Sequence, residues 1–129
     1  MARKPSKGKK AAKNNRITPL VKRQYGTEEA DVVMDDLMYV LRDSQVRVPR
    51  PGKYYVFIYY AQKPNLLTDR YPVVAVTEIF EWGFNGINLH LEQPRRYNFS
   101  AVAGGLYELK TTEIDSVLAL PLMDLKQNR

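Results

Sequence analysis

A chain with one histidine and no cysteine has few routes to covalent chemistry. Nucleophilic catalysis needs a base held beside its nucleophile. The histidine, His90, lies in GINLHLE with Asn88 and Glu92 on the same side of an alternating pattern and no serine nearby. A structural histidine at a turn or interface accounts for that placement. Asp35 and Asp36 form the second candidate, a carboxylate pair. Adjacent residues on a helix point in different directions, so a solvated helix face accounts for them. No His, Asp and Glu spacing resembles a metal site, and the glycine patterns that cradle phosphates are missing; Gly83-x-x-Gly86 lacks the strand–loop–helix setting. The expectation is a protein that is not an enzyme and takes no cofactor, metal or small-molecule substrate.

The strongest signal is charge. The opening MARKPSKGKKAAKNNR carries Arg3, Lys4, Lys7, Lys9, Lys10, Lys13 and Arg16 and no acid. The formal charge of +6 therefore belongs to this stretch; the remaining residues hold 13 bases against 14 acids, a net of −1. Such an arm can neutralise phosphates of DNA or RNA. If all seven cations engaged duplex DNA, log K would fall against log salt with a slope of about −6, without sequence discrimination. It can equally lie in an acidic groove of a neighbouring protein. Its Lys, Gly, Ser, Pro and Asn bury too little surface to offset ordering entropy. Residues 1–16 are thus expected as an extended basic arm. Residues 17–26, ITPLVKRQYG, with Pro19 and a break at Gly26, are expected as an extended linker.

Residues 27–129 fit one globular body. Thr27 is a plausible N-cap, and Ala30, Val33, Met34, Leu37, Val40 and Leu41 recur at helical spacing, which predicts a helix over about 28–42. The prolines and glycine of Val46–Gly52 predict a loop or edge. Lys53–Ala61 and Tyr71–Phe80 are rich in aromatic and β-branched residues and predict strands. The eight-residue apolar run Tyr54–Ala61 is too short to span a bilayer, and no secretory leader follows the basic start. Tyr55, Phe57 and Tyr59 alternate onto one face of the first strand and Tyr54, Val56, Ile58 and Tyr60 onto the other. Exposed, they would stack bases; a strand buried on both faces is the simpler reading.

Glu81–Gly86, EWGFNG, predicts a turn, with Asn85-Gly86 suited to positive φ. Gly86–Glu92 predicts a strand with Ile87, Leu89 and Leu91 on one face. Residues 92–100 read as irregular. After a break at Gly104-Gly105, Leu106–Thr111 predicts a fourth strand. Thr112 would cap a short helix from Glu113, ended by Pro121, with Leu122 and Leu125 laid on the body. The whole is an α+β fold: a small antiparallel sheet, of SH3-like or partly open barrel form, flanked by a helix on each side in sequence.

The middle of the chain adds a resemblance. The aromatic strand Tyr54–Tyr60 is followed by Asp69-Arg70-Tyr71-Pro72-Val73, then by Trp82-Gly83-Phe84-x-Gly86-x-Asn88-x-His90 and Arg95-Arg96-Tyr97. Over about 53–110 this resembles small virion proteins of T4-like tailed phages, including cyanophages, some of which are labelled DNA end protectors. The resemblance implies a virion structural subunit at the neck, tail or baseplate, made in the host cytoplasm. Its partners would be other virion proteins in a symmetric multi-copy assembly, and packaged DNA through the arm, with no membrane. Trp82, Gly83, Phe84, Gly86, Asn88 and His90 would form a fold-defining turn and interface. Gly83 and Gly86 would permit a tight hairpin, Trp82 and Phe84 would plug the barrel end or dock on a neighbour, and Asn88 and His90 would bond loop backbone. The alternative function is a nucleic-acid-binding protein using the arm and an aromatic sheet face.

Overall fold

The computed structural model describes residues 15–22, 30–60 and 70–120. Among them run strands β1 (Gln45–Val46), β2 (Tyr54–Tyr59), β3 (Val73–Ile79), β4 (Gly83–Asn88), β5 (Gln93–Asn98) and β6 (Val102–Leu109). The helices are α1 (Thr18–Lys22), α2 (Ala30–Val40) and α3 (Ile114–Leu118). The strands form one open antiparallel sheet in the order β1-β6-β2-β3-β4-β5. A meander from β2 to β5, a 3-10 turn at Phe99–Ala101 and a return strand that pairs with β2 build this sheet within the expected α+β fold.

The sheet is strongly curled. The rings of Phe57 on β2 and Tyr97 on β5 have centroids 5.3 Å apart, although β3 and β4 lie between them. In a flat sheet those strands would stand about 14 Å apart. The Asn98 backbone N–H also donates to the Tyr59 hydroxyl at 3.3 Å. Register shifts between Val56 and Ile58 and between Val76 and Glu78 mark where the ladder bends. The result is a partly open barrel with two apolar cores, one inside the curl and one outside it.

Alternation along β2 feeds both. Tyr55 and Phe57 join Val74, Val76, Phe84, Tyr97 and Leu106 inside. Val56 joins Val73, Leu109 and the helices outside. The aromatic strand is therefore buried on both faces, as its continuous apolar run implies. On α2, Val33, Met34, Leu37, Met38 and then Leu41 form the buried stripe. Asp35 is exposed on the opposite side and Asp36 is half-buried, so this pair is a helix surface.

Several elements depart from expectation. Residues 17–26 are not simply an extended linker: Thr18–Lys22 is helical, with Ile17 and Leu20 in the outer core. Pro19 sits in the first turn, where its missing N–H costs no helical bond. The helix predicted over 28–42 is described as Ala30–Val40, followed by a 3-10 turn at Arg42–Ser44; residues 27–29 lie outside the described residues. The turn expected over Glu81–Gly86 is tighter. Phe80 and Gly83 exchange backbone bonds (2.7 and 3.3 Å) around Glu81 and Trp82, and Gly83–Gly86 is already strand.

The strand expected to reach Glu92 stops at Asn88, and Leu89–Glu92 is the turn to β5. Residues 92–100, expected as irregular, hold β5. Phe99 N–H bonds Trp82 C=O, so by strand alternation Pro94 faces away from β4, where it removes no ladder bond. The strand expected at Leu106–Thr111 is β6, which runs through Gly104-Gly105 from Val102. Thr112 caps nothing: Thr111–Glu113 is a 3-10 turn held by Glu113 N–H to Lys110 C=O at 2.8 Å, and α3 starts at Ile114. The expectations for Gly26, Pro121, Leu122 and Leu125 fall outside the described residues.

Candidate functional site

The base of the basic segment is fastened to the body by a polar clamp. Glu113 is fully buried. Arg16 reaches it with a two-pronged pair, Nε–Oε2 at 2.7 Å and Nη2–Oε1 at 2.8 Å. The backbone N–H of Arg16 donates to the same Oε2 at 3.1 Å, and that of Lys110 to Oε1 at 2.9 Å. Arg16 Nη1 continues to Ser44 Oγ at 2.7 Å, and Nη2 to the Glu108 carbonyl at 3.5 Å. Just upstream, Asn15 Nδ2 donates to Thr112 O and Ser116 Oγ, and Asn15 Oδ1 accepts from Ile17 N–H.

The electrostatics follow from this geometry. Burial pushes the Glu113 carboxyl up, but the bonds from the Arg16 side chain and the two backbone N–H groups outweigh it and hold the group below its ordinary 4.5. Arg16 is correspondingly raised, first through its bond to Glu113.

Arg16 was expected among the arm's contact residues. It is instead an internal residue of the body, because a buried carboxylate needs a paired cation. Arg3, Lys4, Lys7, Lys9, Lys10 and Lys13 lie outside the described residues. Moving Arg16 to the body leaves 14 bases against 14 acids there, an electrically balanced module. No sequence signal announces Glu113 as the partner of a residue 97 positions away; only its place three residues after Lys110, suited to receive a backbone N–H, hints at a fixed carboxylate.

The WGFxGxNxH segment divides into distinct roles. Phe84 is fully buried between Phe57, Tyr97 and Phe99, with ring centroids 5.7, 5.3 and 5.8 Å away. It builds the inner core and does not face a neighbour. Neither Gly83 nor Gly86 has a positive φ. They are glycines because strands approach too closely for a Cβ: one on Gly83 would collide with the Tyr97 carbonyl, and one on Gly86 would strike Val74 Cγ1 and come within 2.8 Å of Ala75 O. Asn88, fully buried, accepts from His90 N–H at 3.0 Å and Leu91 N–H at 3.3 Å through Oδ1. It organises the turn, as an Asx side chain does.

His90 contributes its backbone N–H to that turn. Its ring Nε2 is buried with no hydrogen-bond partner among the described residues, and burial lowers its pKa from 6.5. No nucleophile or carboxylate is brought to it by any contact described.

Trp82 remains the surface element. It is 38% exposed, stacks on the equally exposed Phe80 (5.1 Å between centroids, 4° between planes) and carries the Arg96 guanidinium 4.6 Å above its ring. The sequence singles out Trp82 but neither Phe80, which meets it across the Phe80–Gly83 turn, nor Arg96, which reaches it only through the β4–β5 pairing. The aromatic face of β2 offers no stacking platform, since Tyr55 and Phe57 are fully buried.

No metal-holding cluster of three or more His, Asp or Glu occurs among the described residues, and no helix there is long and apolar enough to cross a membrane. Compared with protein-family models, curated proteins and solved structures, the chain has no match in any of the three.

Proposed function

We propose that this chain is a structural subunit of a tailed-phage virion, at the neck, tail or baseplate. Its body docks into a symmetric multi-copy assembly while the basic residues ahead of Asn15 contact a neighbouring subunit or packaged DNA. The observation that supports this reading is the Arg16–Glu113 clamp. A tail that merely solvates the protein needs no fixed origin. Here a buried carboxylate, four donated hydrogen bonds and Asn15 fix the point at which six cations begin, relative to a body with no net charge. Segments that order only on binding can cover much surface for their length, and symmetric copies multiply weak arm contacts by avidity.

Quantitative mass spectrometry of purified particles, from the phage whose genome encodes the chain, tests the reading. The expected result is several copies per particle, with cross-links from the arm lysines to a neighbouring protein or to DNA. Particles devoid of the chain would overturn it.

A further inference from the structure

We propose that the β1–β2 connection is a backbone-contact site for duplex DNA, carried by the body and independent of the arm. Its phosphate contacts are Arg47, Arg50 and Lys53, with Arg95 on the same side of the sheet. The site goes beyond the role proposed for the arm, because it stands on the body alone.

The connection is held in one shape. Lys53 N–H donates to Arg50 C=O at 3.3 Å, and Gly52 has a φ of 83°. With Pro51 ahead of that glycine, residues 50–53 form a type II turn. Both ends are tied down. Arg50 N–H donates to the Tyr55 hydroxyl at 2.9 Å, while Gly52 N–H and Lys53 C=O bond the Val76 backbone at 2.9 and 3.0 Å. A Cβ at Gly52 would meet nothing within 4 Å, so the corner stands clear of the body. Such a turn keeps the Cα atoms of Arg50 and Lys53 under about 7 Å apart, a separation that suits two neighbouring phosphates of one strand. Arg47 precedes them by three residues.

The body's balanced charge is also segregated. Residues 45–53, QVRVPRPGK, hold three cations and no acid, whereas residues 24–41 hold five acids and no base. The acidic stretch contains α2, which packs on the outer side of the sheet with Val56 and Val73. Strand alternation puts Lys53 on the inner side with Tyr55. On the same rung Val76, an inner residue, pairs with Gly86, and Gly86 pairs with Arg95. Lys53 and Arg95 therefore share the side turned away from the acidic helix. Among the described residues, the one acid bonded to the connection is Glu108, 3.4 Å from Arg50, with side chains 27% and 68% exposed. An ion pair that exposed contributes little, so Arg50 can turn to a phosphate. Arg47 and Lys53 are exposed and take part in no ion pair among the described residues. Duplex backbone suits this surface better than other polyanions. A protein partner wants an apolar centre, and Val48 is the one large exposed hydrophobic side chain on the connection. A single strand wants open aromatic rings, and Tyr55 and Phe57 on this side are fully buried. A fixed row of cations remains, which meets phosphates without sequence preference.

Fluorescence anisotropy of a labelled mixed-sequence DNA duplex tests the site, circular dichroism confirming that each variant folds. The starting point is the full chain carrying Arg3→Gln, Lys4→Gln, Lys7→Gln, Lys9→Gln, Lys10→Gln and Lys13→Gln, which leaves the body as the source of binding. This arm-neutral chain should bind the duplex, with log K falling against log salt at a slope of about −3 to −4 for four phosphate contacts. Adding Arg47→Gln and Lys53→Gln should bring the slope to about −2 and weaken binding about tenfold or more at about 50 mM salt. Adding Arg47→Lys and Lys53→Arg instead should leave both at the arm-neutral level.

An arm-neutral chain that leaves the duplex unbound at about 0.1 mM, the weak end of non-specific affinity, overturns the inference. So does a slope that Arg47→Gln with Lys53→Gln leaves unchanged, or tighter binding to the single strand than to the duplex, which would require a stacking surface. Self-association at low salt that the same pair abolishes, with no DNA bound, would put an acidic protein surface against the connection and overturn it too. A chain that binds the duplex as described yet is absent from particles overturns the virion role and leaves this site standing. A chain present in particles whose DNA binding ignores the pair does the opposite.

Discussion

The Arg16 guanidinium grips the Glu113 carboxylate with two prongs across 97 residues of sequence, and the carboxylate is fully buried while the guanidinium side chain is 24% exposed. That asymmetry decides what removing either partner does. Without Arg16, Glu113 keeps two backbone donors at most and no counter-charge. Without the Glu113 charge, Arg16 has a path to water.

Arg16→Met should therefore cost about 3–5 kcal/mol, the range for a buried charge left unpaired. Glu113→Gln should cost clearly less, because a neutral amide tolerates burial and the guanidinium can hydrate. Urea unfolding of both variants checks the order; equal losses, or a larger loss for Glu113→Gln, would contradict it.

The same pair sets the acid limit of stability. Glu113 has a folded pKa below its ordinary 4.5, so the unfolded chain binds the proton first. Its contribution is complete above about pH 4.5 and is lost as pH falls through the lower folded value. In Glu113→Gln that acid-side decline should be shallower, as read by thermal melts from pH 5 downwards.

His90 acts one step higher in pH. Burial depresses its pKa from 6.5 and its Nε2 has no bond to lose. The unfolded chain takes up a proton near 6.5 while the folded one resists, so stability should fall as pH drops below that value, by at most about 1.4 kcal/mol per pH unit. His90→Phe should flatten the melting temperature between pH 7 and 5. A wild-type profile already flat there would rule out an uncharged buried ring.

Much of the architecture was legible because burial leaves a periodic trace. The aromatic run of β2 and the 33/34/37/41 stripe of α2 announce a two-sided strand and an amphipathic helix. What escaped did so for definable reasons. In Gly86–Glu92 apolar alternation continues past the real strand end, where Asn88 captures two amides and turns the chain. In β5, Pro94 and two arginines look like a loop, yet an edge strand tolerates a proline whose missing N–H faces away from β4. The glycines of β4 look like turn residues, but they mark close strand approach. Of the site, the charge segregation was visible. The Arg16–Glu113 pair was not, since it joins residues 97 positions apart, and the Phe80–Trp82–Arg96 ladder was not, since it depends on the tight turn at Glu81-Trp82 and on a β5 strand that the sequence hides.

Close approach at β4 makes a sharp test of that last distinction. Gly83→Ala would drive a methyl into the Tyr97 backbone carbonyl, which cannot move without breaking the β4–β5 ladder. A loss of about 3 kcal/mol is expected. Gly104→Ala, with open space around it and φ of 77°, should cost only about 1 kcal/mol from backbone strain. If the two losses were equal, packing would not be the reason for glycine at position 83.

Glu92 presents the converse case, a residue with a side chain where glycine would sit better. Its φ is 55°, the sole positive value at a non-glycine among the described residues. Its N–H closes the turn onto Asn88 C=O at 2.7 Å, so the conformation is imposed by the β4–β5 connection. The left-handed region costs an L-residue about 1–2 kcal/mol, while glycine's extra unfolded entropy costs about 0.5–1 kcal/mol. Glu92→Gly should therefore stabilise by about 0.5 kcal/mol, a rise of about 2 °C in Tm for a chain of this size. Glu92→Ala keeps the strain and should leave Tm near the wild type, so the difference between the two variants isolates backbone from side chain. A drop in Tm for Glu92→Gly would mean that the exposed carboxylate, not the turn geometry, holds this position.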